Sequence, residues 1–443
     1  GTVKMGNATL SSKGYAVPAY SYLRKYGDFS MWDIYRAELP LYSLITPKMS
    51  GEMMQSLVQM YKEGGWMPIF PCWNSYTAAM IGDHASAALA DAYVKGIRNF
   101  DAAKAYEGMR LNAFSTPYLA KDYRDGKGRR AIRSYMDNGY IPLEDMVEEA
   151  FHTNEQTSRT LEYAYDDYAV AQMAKALHDS CQDAALRQKY LEDYNDLMRR
   201  SENWRNVINP ATGWADGRYE NGKWENNEDL VHRKSYITEG ATCHYTWYVP
   251  QNPEGLFEVI RNSKPMDKQE KQIEKMERKM EKKGETPVRN EKVIARLDKM
   301  FDNGWYWHGN EPCHQVAYLY DAAGAPEKTQ ERVHHILQTE YNDTPGGLSG
   351  NDDAGQMSAW YVFSSIGFYP VCPGTPYYYI GTPSFDKVTL NLENGRKFIL
   401  SADRQHKDDY LIQSLTLNGK PLADYRLSHQ QILTGGELHF QMK

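Results

Sequence analysis

The 443-residue sequence is long enough for one large domain or two ordinary ones, with ample apolar material for a core. A net charge of -7 and a pI near 6.0 argue against nucleic acid, whose phosphates demand a basic face, and no run of about 18 uninterrupted apolar residues exists to cross a membrane as a helix. The cysteines (Cys72, Cys181, Cys243, Cys313, Cys372) are dispersed, odd in number and without a CxxC pair, which excludes a zinc cluster or disulfide scaffold and leaves buried free thiols.

The chain opens at Gly1-Thr2-Val3 with neither an initiator Met nor a signal peptide, as expected of a processed or truncated sequence, so the compartment is not legible from it. Helical periodicity dominates to about residue 370. Over 49–63, Met53, Met54, Leu57, Val58, Met60 and Tyr61 recur at spacings of three and four and make one buried stripe, which Gly64-Gly65 ends. Further helices are predicted at 80–99, 158–179, 184–203, 255–262, 288–301, 312–323, 326–340 and 355–367. Loops rich in Trp, Gly, Pro and Asn separate them at 64–77, 204–229, 302–311 and 341–354. Helix, aromatic loop and helix in repetition suit a toroid of helical hairpins with functional loops gathered at one end. The stretch 264–285 alternates Glu and Lys at i,i+4 spacing and reads as a solvated surface helix, with Ile273, Met276 and Met280 as a narrow apolar stripe. After Pro373 the period changes. Segments 377–380, 387–392, 397–400, 411–417 and 437–442 read as short strands, with turns at Asn418-Gly419 and Gly435-Gly436. The expected organisation is a helical domain over 1–373 and a small antiparallel β module over 374–443.

Three loop clusters hold acids, amides and His where packing does not require them. Gly350-Asn351-Asp352-Asp353-Ala354-Gly355-Gln356 precedes an apolar helix; one Asp would cap it, and two with Asn exceed that need. Trp305-Tyr306-Trp307-His308-Gly309-Asn310-Glu311-Pro312 offers an aromatic wall and, in Asn310 and Glu311, the hard oxygens Ca²⁺ prefers. Tyr236-Ile237-Thr238-Glu239-Gly240, leading into Tyr245 and Trp247, sets a carboxyl among aromatics that could keep it partly desolvated and protonated, as a general acid requires. The excess of Tyr (34) and Trp (10) over Phe (12) suits surfaces that meet sugar rings, and suits ordinary packing equally.

Several longer motifs follow in order: Phe29-Ser30-Met31-Trp32-Asp33-Ile34-Tyr35-Arg36-Ala37, Gly64-Gly65-Trp66-Met67-Pro68, Met80-Ile81-Gly82-Asp83-His84-Ala85, Ser158-Arg159-Thr160-Leu161-Glu162-Tyr163-Ala164-Tyr165-Asp166-Asp167, Gly309-Asn310-Glu311-Pro312 and Asp353-Ala354-Gly355-Gln356-Met357-Ser358-Ala359-Trp360. From about residue 25 to 385 this series resembles the catalytic domain of glycoside hydrolase family 92, the bacterial exo-α-mannosidases. The resemblance implies a mainly α protein, an (α/α)6 barrel. It also implies single-displacement hydrolysis with inversion, a calcium ion gripping O2 and O3 of a terminal mannose, and mannose-containing glycans such as N-glycans as substrate. By the same likeness Glu239 matches the general acid and Asp353 the general base, with Asp352 in reserve, and Asn310 and Glu311 fall in the calcium loop. Trp32, Asp33 and Arg36 match the stretch lining the mannose subsite; His84, Arg159, Glu162, His308, Gly309 and Asn351 are further pocket candidates.

The departures are informative. Asn351 stands where an acid is frequent, which singles out Asp353 as base. Gly309 replaces the Glu of a His-Glu-Asn pattern in α-1,2-specific members and disfavours that linkage. Ala241-Thr242-Cys243-His244 stands where Asn-Ala-Trp-Gln is common, so the leaving-group side is expected to be unusual. The family's N-terminal β-sandwich, which reaches into the active site, is expected to be missing from this chain. Competing readings are another inverting glycosidase or a phosphorylase on the same barrel, and a catalytically impaired glycan-binding protein. The substrate class points to an extracytoplasmic location, periplasmic or at the cell surface.

Overall fold

The structure, a computed structural model, describes residues 3–4, 24–147 and 152–443. Paired helices form the (α/α)6 barrel, and strands gather near the C-terminus. The long helix Gln156–Ser180 runs through the middle, buried from Gln156 to Asp167 on every side, and packs against His84–Val94 and Ala184–Arg200. Five alanines in His84–Val94, all buried, allow that close approach. Local chemistry sets the ends. Asp101, Asp183, Asn252 and Asp267 each accept a backbone N–H from the first turn of the helix that follows, and Pro47, Pro253 and Pro326 open helices with φ already set. The helix expected over 49–63 spans Pro47–Gly64 and ends on Gly65 at φ 83, where a side chain would be strained.

Most expected helices recur with shifted ends; the exceptions are local. The 312–323 segment is two 3-10 turns, Glu311–Cys313 and Val316–Tyr318, and a single α turn, Leu319–Ala322. The helix expected from residue 80 begins at His84, because Met80 and Gly82 both take positive φ. The charged helix spans Lys268–Lys282 and is not merely solvated. Glu270 is fully buried in a two-pronged pair with Arg296 (3.1 and 3.2 Å), and Lys292–Glu274 (2.9 Å) and Lys299–Asp267 (2.6 Å) pin the same edge to the helix Glu291–Asp302. Ile273 is consumed by that packing, and Met276 stays 55% exposed.

Two sheets follow the last barrel helix. Phe368–Tyr369, Tyr377–Ile380 and Arg426–Ser428 form a three-stranded antiparallel sheet. Five strands in the order Lys420–Pro421, Ile412–Leu417, Gly436–Met442, Lys397–Asp403, Lys387–Asn391 form the other. Its pairs are antiparallel except Gly436–Met442 with Lys397–Asp403, which the helix His429–Thr434 lets return in parallel. Asn418 (φ 50) and Gly419 (φ 76) make the tight turn read from the sequence. Apolar faces of strands and helices share one continuous core from Phe29 to Met442. Among the described residues all cysteines are free thiols, and no helix is long and apolar enough to cross a membrane.

Candidate active site

Asp33, Glu311 and Asp353 arrive from three separate segments, and one carboxylate oxygen of each lies within 4.8 Å of the others. Asp33 sits on the short helix Met31–Ile34, buried, with Ser30 Oγ donating to it at 2.6 Å. Glu311 begins the turn before Pro312 and is fully buried, and neither of its carboxylate oxygens has a hydrogen-bond partner. Burial, then the charges of Asp33 and Asp353, push Glu311 up to about 9; burial, with Asp353 and Glu239 adding, pushes Asp33 up to about 7. Glu239 therefore belongs to the same electrostatic cluster. Asp33, Glu311 and Asp353, with both oxygens of Glu311 orphaned, form a donor set that fits a hard divalent cation such as Ca²⁺.

Backbone strain marks the two residues expected to do the chemistry. Glu239 takes φ 51 and Asp353 φ 47, with Ala354 beside it at φ 60, a region non-glycine residues enter at a cost of about 1–3 kcal/mol each. The surroundings enforce it. Thr238 N–H donates to Ser158 Oγ (2.7 Å), Thr238 Oγ1 to Glu155 (3.1 Å), and Thr157 N–H to Tyr236 O (3.1 Å), so the start of the long helix clamps the Glu239 loop. Asp353 opens the short turn Asp353–Gly355 that leads directly into the helix Gln356–Ile366. Asp352 is occupied otherwise: its Oδ1 accepts Ser358 N–H (3.0 Å) and Ser358 Oγ–H (2.8 Å), capping that helix. Asn351 is exposed and Asp353 half-buried. A Cβ on Gly350 would stand 2.3 Å from Gly309 O, and one on Gly309 2.7 Å from Ser349 O. Two loops thus press backbone to backbone where a side chain at 309 would project.

Other sequence candidates fall into supporting layers. Trp32 is buried, and its Nε1–H donates to Glu162 (2.9 Å). Arg36 is buried with its guanidinium over the rings of Trp32 and Tyr35 (4.8 and 4.9 Å), one nitrogen unsatisfied. Glu162 also accepts Tyr245 OH (2.8 Å) and faces His84 Nε2 (3.1 Å); His84 Nδ1 meets Asp166 (2.8 Å). Asp83 and Asp167 clasp Arg129 (2.9 and 2.6 Å) beside them, every member buried. Burial alone would lower His84, but Asp166 and Glu162 prevail and raise it to about 9. His84 and Glu162 are therefore a buried charged strut under Trp32. Arg159 donates to His152 O (2.6 Å) and lines a small cavity with Gly82 and Tyr163. His308, expected in an aromatic wall, is only 1% exposed, with both nitrogens engaged by Tyr306 OH (2.7 Å) and Tyr341 OH (2.6 Å). Trp307 of that loop is the exposed ring, at 47%.

Three contributors escape sequence reasoning. Glu38, beside Gly355 and Asp352, is pushed up to about 7 by burial and by Asp352, and one of its oxygens is orphaned. Gln356 accepts Ala37 N–H (2.9 Å) and meets His314 (3.1 Å), tying the Asp33 segment to the Asp353 segment. His244 bridges the Glu239 and Trp305 loops. The departure at Ala241-Thr242-Cys243-His244 was the visible signal for His244, and it marked the position without its contacts.

The profile of the glycosyl hydrolase family 92 catalytic domain matches residues 8–443. A protein described as an uncharacterized secreted glycosidase from Arthroderma benhamiae is 30% identical over 439 residues, covering 92% of this chain and 50% of that protein. A family 92 α-mannosidase from Bacteroides thetaiotaomicron superposes with a TM-score of 0.79 at 33% identity, over 98% of this chain and 52% of its own. A second protein of that organism, described as an inverting mannosidase, gives a TM-score of 0.79 at 31% identity, covering 98% and 56%. The chain thus spans about half the length of the relatives it matches.

Proposed function

The chain belongs to glycosyl hydrolase family 92, and from that premise we propose that it is an exo-α-mannosidase acting with inversion on terminal mannose of glycans. The observation that carries the reading is the convergence of Asp33, Glu311 and Asp353, with Glu239 within electrostatic reach. Glu239 is the general acid that delivers a proton to the departing glycosidic oxygen. Asp353 is the general base that takes a proton from water on the opposite face; inversion asks for carboxyls about 6.5–9.5 Å apart. Asp352 is committed to its helix cap and leaves the base role to Asp353.

Glu311, Asn310 and Asp33 would hold Ca²⁺, which when bound supplies Lewis acidity and a template for vicinal sugar hydroxyls. Trp32 and Arg36 shape the floor of the mannose subsite, with the His84–Glu162 strut beneath it. Gly309, pressed against the Ser349–Gly350 backbone, leaves no side chain toward the leaving group, so linkages other than α-1,2 are favoured. A barrel over 1–373, a strand module over 374–443 and an N-terminal β-sandwich domain of the same protein complete the proposed organisation. The secreted relative supports an extracytoplasmic site of action.

Glu239→Gln and Asp353→Asn are each expected to remove about 10²–10⁴-fold of turnover on an α-mannoside. EDTA is expected to abolish activity and added Ca²⁺ to restore it. Full turnover in either variant would overturn these roles.

A further inference from the structure

The short helix Thr242–Tyr245 begins directly after the Glu239 loop, and its third residue, His244, is held by two hydrogen bonds whose directions are fixed. Ala241 N–H donates to Nδ1 at 3.0 Å, so Nδ1 carries no proton. Nε2 then holds the ring proton and donates it to Trp305 O at 2.9 Å. The ring is the neutral tautomer, and burial holds it below the ordinary histidine range. It lies 6.5 Å from the exposed Trp307 ring, and a Cβ on Gly240 would come within 3.0 Å of Nδ1, so the loop has closed down onto the imidazole.

Glu239 is thus anchored on two sides. Upstream, Ser158 and Glu155 hold Thr238 (2.7 and 3.1 Å). Downstream, the anchors are Lys234 N–H to Gly240 O (3.3 Å) and the His244 bond to Ala241. Only the His244 anchor also reaches the Trp305–Glu311 segment that leads to the acid cluster. A left-handed φ of 51 at Glu239 persists only while both sides are held.

We propose that His244 is a positioning residue for the general acid, linking the Glu239 loop to the aromatic loop so that the carboxyl is aimed at the leaving group. This rests on the assignment of Glu239 as acid. Its consequence is selective: His244 matters where the leaving group must be protonated and not where it departs unaided.

The test compares wild type, His244→Phe and His244→Asn on methyl α-mannoside and 2,4-dinitrophenyl α-mannoside, both with Ca²⁺ present. Phe keeps a ring against Trp307 and removes both hydrogen bonds; Asn keeps an acceptor at the Nδ1 position. The Phe variant is expected to lose about tenfold or more in kcat on the methyl glycoside, on the scale of a misplaced catalytic group, and to stay within about threefold on the dinitrophenyl glycoside, KM changing little. Asn is expected to recover most of the loss. Equal losses on both substrates, or none on either, would overturn the proposal. If the Phe variant does not fold by circular dichroism, His244→Ala decides on the same two substrates: a fall confined to the methyl glycoside supports the proposal, and an equal fall on both or none on either overturns it. Failure of the underlying assignment looks different, because Glu239→Gln would then show no dependence on the leaving group.

Discussion

Replacing His84 by Gln removes the imidazolium held between Glu162 and Asp166, and the structure sets the size and the pH window of the effect. His84 is 1% exposed and contacts Asp166 at 2.8 Å and Glu162 at 3.1 Å. Its raised value, about 9 against 6.5, corresponds to about 3 kcal/mol of preference for the charged form in the folded state. The sign follows from proton counting: a folded state that holds its proton more tightly gains stability fully present below about pH 6.5 and lost as pH rises through about 9. His84→Gln takes the imidazolium from two buried carboxylates that keep only their other donors, Trp32 and Tyr245 on Glu162 and the Asp83 N–H on Asp166, a loss on the order of 3 kcal/mol at pH 6. Chemical denaturation in urea at pH 6, 7.5 and 9.5 measures it. The gap between wild type and variant should shrink as pH rises, because wild type alone pays for deprotonation. Parallel curves, or a gap that widens with pH, would refute the strut.

Glu311→Gln keeps the shape of the side chain and removes its charge, so thermal unfolding of the variant should no longer respond to added Ca²⁺, whereas wild type gains about 2.7 kcal/mol at a hundredfold excess over Kd; equal responses would rule Glu311 out as a ligand. Asp352→Ala should cost about 1 kcal/mol through loss of the cap while sparing more turnover than Asp353→Asn; the reverse order of activities would exchange their roles. Gly350→Ala forces a Cβ to within 2.3 Å of Gly309 O, so both the melting temperature and Ca²⁺ affinity should fall, and an unperturbed variant would show that the two loops are not in register.

How far the sequence predicts these features depends on the range of the interaction that decides them. Periodicity and caps are local, which is why Pro47–Gly64, Gln156–Ser180 and the strand Tyr377–Ile380 are legible within a few residues. The helices Met31–Ile34 and Glu38–Ile45 are short, lack a side-chain cap and are set by burial against the rest of the barrel, so no periodic signal announces them. Three acid loops stood out by composition, but their meeting depends on contacts hundreds of positions apart, such as Gln356 with Ala37. His308 shows the opposite failure. An aromatic, polar loop reads as a sugar wall, yet partners on Tyr306 and Tyr341 draw the ring inside and leave Trp307 outside. Positive φ at Glu239 and Asp353 is invisible in a string that places no glycine there.

The most direct test is to follow the anomeric proton by NMR during hydrolysis of methyl α-mannoside by the wild-type chain with Ca²⁺, without phosphate. Inversion through Glu239 and Asp353 predicts that β-mannose appears first and the α anomer later, by mutarotation. First-formed α-mannose, or release that requires phosphate, would contradict the account.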